Sequence, residues 1–390
     1  MPKPLSRVVN NLLGQPMFQM LSKINDIEKK GRKIIHYEIG DPDFDTPKNI
    51  RDKAIKEIVK GNTHYVDSKG LREFRELIRG TTLLSRGFKP NIEQILVTPG
   101  ANYIIYLAIS TLVESGEEIL VPNPGFPTYL SASKYLDAKI IYYDLKFENG
   151  FKIDFKSLEK LITSKTKLLI VNSPSNPMGS VISKEDAEKI AKLIEKHDLY
   201  LLSDEVYSRL IFQNDNFFTP TFKDKCKDRS IIINGFSKSF SMTGWRLGVA
   251  IGPEEIISKM ALIVETISSC TPPFIQSAGI EAISGDQQEI DAIKKEIKLR
   301  IDVMANGLNQ IKGIQCIKPE GAMYLFPRIT ETNLSSEEFA DLVLDKCSIG
   351  LLPGNNFGSE GEGHVRLCCT NNIDIINVTL ERLSRLFGKK

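Results

Sequence analysis

From about Glu93 to Ile283, short apolar runs rich in Ile, Val and Leu alternate with segments of helical period. The runs at Gln94–Thr98, Glu118–Val121, Lys139–Tyr143, Lys167–Asn172, Tyr200–Ser203, Ser230–Asn234 and Leu247–Ile251 are apolar at consecutive positions. Strands of that kind are buried on both faces, which is the pattern of a mostly parallel sheet sandwiched by helices. Between them, Ala101–Val113, Pro127–Leu136, Phe155–Ile162 and Lys184–Lys196 read as the covering helices. Seven such strands predict one large α/β domain.

After Gly285 the rhythm changes. A long charged helix from Gln287 to Leu308 precedes strand-like Gly313–Lys318 and Met323–Phe326, a helix at Ser336–Lys346, two more strands, and a last helix from Asp374. This reads as a smaller α+β domain. The apolar run Ile34–Ile39 is predicted to pack on it rather than start the large sheet. The expected division is an N-terminal segment over 1–45, a large domain over 46–285 and a small domain over 286–390.

Composition narrows the classes. Of 390 residues 41% are hydrophobic and 26% charged, which excludes wholesale disorder, and 51 basic against 49 acidic residues give a net +2 with no basic block, so no nucleic-acid surface is expected. Apolar stretches such as Ile104–Val113 fall short of the roughly 20 residues a membrane span needs. The six cysteines form no C-x-x-C pair and the four histidines no ligand spacing, so reduced thiols and no metal are expected. With no signal-peptide pattern at the start, these features point to the cytoplasm.

In an open α/β sheet the ligand lies beyond the carboxyl ends of the strands, so the residues following each run carry the chemistry. After Thr98, Pro99-Gly100-Ala101-Asn102 opens a helix, where backbone N–H groups can face a phosphate; a plain strand-to-helix turn has the same composition. After Asn172, two prolines bracket Asn176, whose amide can donate to a ring hydroxyl. Past Ser203, Asp204 and Tyr207 place a carboxylate and a phenol three apart at a predicted helix start. After Asn234 come Ser237-Lys238 and, eight residues on, Arg246: an amine among small and aromatic residues, and a fork for phosphate. An anion cradle, an acid for a ring nitrogen, a phenol and a Schiff-base lysine are together the partners that pyridoxal 5'-phosphate requires.

At these residues the chain resembles the class I/II aminotransferases of the aspartate aminotransferase superfamily, with the fold type I of pyridoxal-phosphate enzymes. The resemblance spans nearly the whole chain and keeps its order. It includes Gly40-Asp41-Pro42-Asp43-Phe44, Tyr65 followed by Gly70-Leu71-Arg72-Glu73, Pro122 to Tyr129, Asn172 to Gly179, Ser237-Lys238 with Met242-Thr243-Gly244-Trp245-Arg246, and Gly321-Ala322-Met323-Tyr324. The resemblance implies that Lys238 carries the cofactor and acts as general base and acid. It implies that Asp204 holds the pyridine nitrogen and that Tyr207 and Asn176 bond the ring hydroxyl. Phe126 is similar to the family's stacking aromatic, and Gly100, Ala101, Asn102, Ser237 and Arg246 to its phosphate cup. Arg366, in His364-Val365-Arg366-Leu367, matches the clamp for the substrate α-carboxylate, helped by Gly40 and Asn176. Tyr65 is implied to reach the phosphate of a neighbouring subunit, hence a homodimer.

Two positions depart from the pattern. Many relatives carry serine where this chain has Gly235, and some aspartate-specific relatives carry lysine where it has Asn102. The stretch Leu12–Met20, with Pro16, Met17 and Phe18, resembles the segment that closes over substrate and hints at a neutral or aromatic side chain. The implied activity is ping-pong transfer of an amino group from an L-amino acid to a 2-oxo acid through pyridoxamine phosphate. The alternatives are a lyase or other carbanion chemistry in the same fold, and a binding module without turnover.

Overall fold

Each of the seven apolar runs forms a strand, and together they make one sheet. The computed structural model describes residues 3, 5–10, 12, 14–212 and 217–390. Across the sheet run Ile95–Thr98, Gly248–Ile251, Ser230–Gly235, Tyr200–Asp204, Thr166–Asn172, Glu118–Asn123 and Lys139–Asp144. Only Gly248–Ile251 runs against its neighbours; the other pairings are parallel. Successive side chains point to opposite faces. Leu168 and Ile170 therefore pack with helix Ala101–Leu112, while Leu169 and Val171 pack with helix Lys184–Lys196. Burying each such side chain contributes about 1.5–3 kcal/mol, which is why the runs carry no polar alternation.

The register brings the ends that matter to one edge. Thr98 lies opposite Gly248, Gly248 opposite Gly235, and Asn172 opposite Asp204. Beyond this edge stands a second, three-stranded antiparallel sheet of Leu352–Pro353, Val365–Cys368 and Tyr324–Leu325. Its core is shared with helices Gln288–Leu308, Ser336–Cys347 and Ile373–Phe387. The run Ile34–Ile39 supplies strand Ile35–His36, which pairs in parallel with Ile349–Gly350 and takes no part in the seven-stranded sheet.

Two local expectations are corrected. Gly313–Lys318 makes a single isolated bridge, Gln315 with Arg328. The Cys316 amide is taken by the Asn309 side chain at 2.8 Å, so no ladder can extend through it. The chain after Asp204 is a turn rather than a helix, with Ser208 N–H donating to Glu205 at 2.9 Å and Leu210 N–H to Tyr207 at 2.7 Å.

That turn is anchored by a buried ion pair. Arg86, at the end of helix Arg72–Arg86, donates from Nε to Glu205 at 2.7 Å, and their side chains are 5% and 0% exposed. Glu205 also accepts from Ser203 Oγ at 2.9 Å and Thr219 Oγ1 at 2.6 Å. Removing one member leaves the other charge buried and unpaired. Glu205→Ala is expected to cost about 3–5 kcal/mol of stability, read from the denaturant midpoint of the cofactor-free protein; an unchanged midpoint would show that the pair does not hold this turn.

Candidate active site

Between the carboxyl edge of the large sheet and the three-stranded sheet lies a cavity of about 490 Å³. Asp204, Gly235 and Lys238 reach it from strand ends on one side, Tyr324 and Arg366 from strands on the other. Ala101, Asn102, Phe126, Asn176, Tyr207, Ser237, Arg246 and Gly40 also line it. The structure thus gathers nearly every residue singled out from the sequence.

Lys238 donates from Nζ to the Gly40 carbonyl, a dipole rather than a countercharge. Burial pushes its pKa below that of an ordinary lysine, Cys368 and Asp41 oppose that shift, and Arg366 and Arg246 add to it. An amine so placed is more readily neutral and nucleophilic.

Asp204 is fully enclosed, and burial pushes its carboxyl up to about 6, against the stabilising hydrogen bonds it accepts. Those bonds come from Tyr129 Oη at 2.5 Å and, more weakly, from the Val206 amide at 3.3 Å. A buried carboxylate with only neutral donors is suited to a cation entering the cavity. The phenol expected beside it, Tyr207, is instead bonded to Tyr324 Oη at 2.8 Å, because the turn after Asp204 carries Tyr207 toward the smaller sheet. Asn172 sets the next residue in place: its Oδ1 accepts from the Asn176 amide at 2.8 Å and its Nδ2 donates to the Asp204 carbonyl at 3.1 Å.

Arg366 is 1% exposed and its partners are uncharged. Nη2 donates to the Glu38 carbonyl at 2.5 Å and Nη1 to Asn176 Oδ1 at 3.3 Å. The guanidinium lies 4.7 Å from the Tyr324 ring centre and 5.1 Å from that of Phe357, and Nε has no partner among the described residues. A buried fork held flat by two aromatic rings, with a donor to spare, fits a carboxylate.

The anion cradle rests on a glycine. Gly100 caps helix Ala101–Leu112 at φ +92°, a left-handed value, and a Cβ there would collide with the Arg246 guanidinium. The first N–H groups of that helix and Arg246 therefore face one spot. Arg246 is steadied by Nη1 donating to the Thr243 carbonyl at 2.8 Å. Gly235 sits against this turn: a Cβ on it would stand 3.3 Å from Ala101 Cβ, so the missing serine coincides with close packing.

One predicted residue stands apart. Tyr65 is 86% exposed and does not line the cavity. At the cavity mouth lie Gln15, Met17, Phe18 and Ile39; Leu13 of the N-terminal stretch is outside the described residues. Sequence reasoning passed over Tyr129, Tyr324, Asn172 and Phe357 as site residues. The first three fall inside motifs that carried the resemblance, while Phe357 had no signal beyond its turn.

Comparison of the whole chain with known proteins gives its family. The sequence profile of the family "Aminotransferase class I and II" matches residues 32–383. An aspartate aminotransferase of Pyrococcus abyssi is 36% identical over 95% of this chain and 96% of its own. Aromatic-amino-acid aminotransferase 2 of Thermococcus litoralis is 35% identical over 95% and 96%. The solved aspartate aminotransferase of Thermus thermophilus with maleate superposes with a TM-score of 0.94 at 28% identity, covering 99% of this chain and all (100%) of that one. The chain therefore belongs to the class I and II aminotransferases, enzymes of fold type I that use pyridoxal 5'-phosphate.

Proposed function

We propose that this cavity is where the chain moves an amino group from an L-amino acid to a 2-oxo acid, and that its preferred donors have neutral or aromatic side chains. The observation that carries the reading is that Lys238, Asp204 and Arg366 converge on one cavity, each hydrogen-bonded to neutral groups rather than to an opposite charge among the described residues.

The residues present fit the cofactor. The Gly100 turn, Ser237 and Arg246 form an anion cradle, Asp204 awaits a protonated ring nitrogen, and Phe126 offers a ring to cover one face. When bound, pyridoxal 5'-phosphate supplies an aldehyde for amines and a ring that withdraws electrons. Asp204 keeps the proton on that ring nitrogen, and Tyr207 and Asn176 take the ring hydroxyl. Arg366 and Asn176, with Gly40, bind the donor's α-carboxylate, which fixes how its Cα–H bond is aimed. Lys238 Nζ, neutral once desolvated, takes the proton from that Cα. Closure around the reactants excludes water that would compete for these groups.

The donor preference rests on the mouth. Met17, Phe18 and Ile39 present apolar surface there, and Asn102 rather than a lysine stands near the cradle. The reading is supported by a relative named for aromatic amino acids. We also propose a homodimer in which Tyr65 reaches the neighbouring site, supported by the exposure of Val59 (82%) and Tyr65 (86%) in one short stretch. A cytoplasmic location is proposed on six unpaired cysteines. The division at 45 and 285 is supported by the pairing of Ile35–His36 with Ile349–Gly350.

The direct test is the visible absorbance of the cofactor-loaded protein on adding single L-amino acids without a 2-oxo acid. Bleaching with L-phenylalanine, with one 2-oxo acid released per site, is expected, and L-aspartate should be the poorer donor. Release of ammonia instead would overturn the reading in favour of elimination. Lys238→Ala should abolish the bleaching.

Arg366→Lys keeps the charge but loses the fork. It should raise KM for donor and acceptor alike and lower kcat/KM about 10- to 150-fold, the scale of a hydrogen bond to a charged group. Steady-state kinetics with both substrates checks this.

Asp204 also gives the cofactor-free protein a pH signature. Its carboxyl titrates near about 6 in the folded chain against 3.8 unfolded, so the folded state binds the extra proton between those values. Stability from this group is therefore present at low pH and is lost as pH rises through that window, by about 3 kcal/mol in all. Asp204→Asn should remove this component of the slope in denaturant titrations from about pH 7 to pH 3.

A further inference from the structure

The two cations of the site share one stretch of backbone: Arg366 donates to the carbonyl of Glu38 and Lys238 to that of Gly40. What holds that stretch lies outside the cavity. The Glu38 side chain is 0% exposed. Its Oε1 lies 2.7 Å from His36 Nδ1, and its Oε2 has no partner among the described residues and would press on any side chain at Gly350. A buried carboxylate half satisfied in this way depends on the one cation beside it.

His36 faces a second carboxylate. Its Nε2 lies 3.5 Å from Glu28 Oε1, which also accepts from the Ile34 amide at 3.2 Å. Glu28 ends helix Pro16–Glu28, whose first turn puts Met17 and Phe18 at the cavity mouth and whose Ile24 is buried against Leu344 and Ile34. The charged groups acting on His36 are these two, Glu38 and Glu28, and together they raise its pKa against the opposing effect of burial.

We propose that His36 and Glu38 are positioning residues: the His36 imidazolium, clasped between Glu38 and Glu28, ties the mouth helix to the backbone that seats Arg366 and Lys238, so that amino-acid binding weakens when it loses its proton. The tie is complete below the usual histidine range and is released as pH rises through the raised value. It rests on the aminotransferase reading for its kinetic readout but not for its structural one.

The test compares the cofactor-loaded wild type with His36→Gln, His36→Lys and Glu28→Gln. With L-phenylalanine and 2-oxoglutarate, wild-type KM for the donor should rise about fivefold to thirtyfold between about pH 6 and pH 9, with kcat little changed. His36→Gln should show the high KM at both, while His36→Lys, permanently charged, should keep the low KM at both. Glu28→Gln, at a half-exposed position, breaks only the outer clasp and serves if His36→Gln does not fold; it should lie between. Amide hydrogen exchange over residues 16–28, compared among variants at the same pH, should follow the same order. Equal KM and equal protection in wild type and His36→Gln at about pH 6, or a His36→Lys enzyme that weakens with pH as wild type does, overturns the proposal. Should no donor turn over in the wild type, the aminotransferase reading fails, and the exchange comparison still decides the tie.

Discussion

The site depends on keeping charged groups buried without countercharges. Asp204, Lys238 and Arg366 are each paired with a phenol, a carbonyl or an amide rather than with one another. They are kept apart because they sit on different rigid elements: Asp204 at the end of a central strand, Lys238 beyond its neighbour, and Arg366 on the separate three-stranded sheet. The fold spends stability to hold this arrangement, and ligands bearing the opposite charges recover it on binding.

Much of this arrangement can be read in the sequence because parallel strands announce themselves as unbroken apolar runs and because the chemistry follows their ends. Asp204, Lys238 and the Gly100 turn each lie within four residues of a predicted strand. Arg366, within a short apolar run, stood out only through the resemblance, since a strand arginine can as well reach solvent. What stayed hidden was pairing across long separations. That Tyr129 rather than Tyr207 reaches Asp204 depends on a turn at 205–210 that periodicity reads as a helix start. That Gly313–Lys318 fails to form a ladder depends on one side-chain amide, Asn309, competing for a backbone N–H.

The phosphate turn shows how a missing side chain can be structural. Gly235 stands where many relatives carry serine, and the closeness of Ala101 leaves little room there. The cradle is instead built from the left-handed cap at Gly100, the helix start and the Arg246 fork. A backbone-and-guanidinium cradle needs precise backbone placement more than it needs one hydroxyl, and Gly248 packed tightly under Gly100 and Ala101 supplies that placement.

The same logic runs from the N-terminal segment into the site. Ile35–His36 is too short a strand to be stable alone, yet it fixes the register of Glu38, Gly40 and Asp41 against the small sheet. Two of those residues offer carbonyls to Arg366 and Lys238, and Asp41 accepts from Thr243 Oγ1 at 2.7 Å, joining the segment to the loop after Lys238. One short stretch of backbone is thus the common support of the Arg366 and Lys238 sides of the cavity. A displacement of Glu38 or Gly40 would therefore act on Arg366 and Lys238 through the backbone rather than through the cavity.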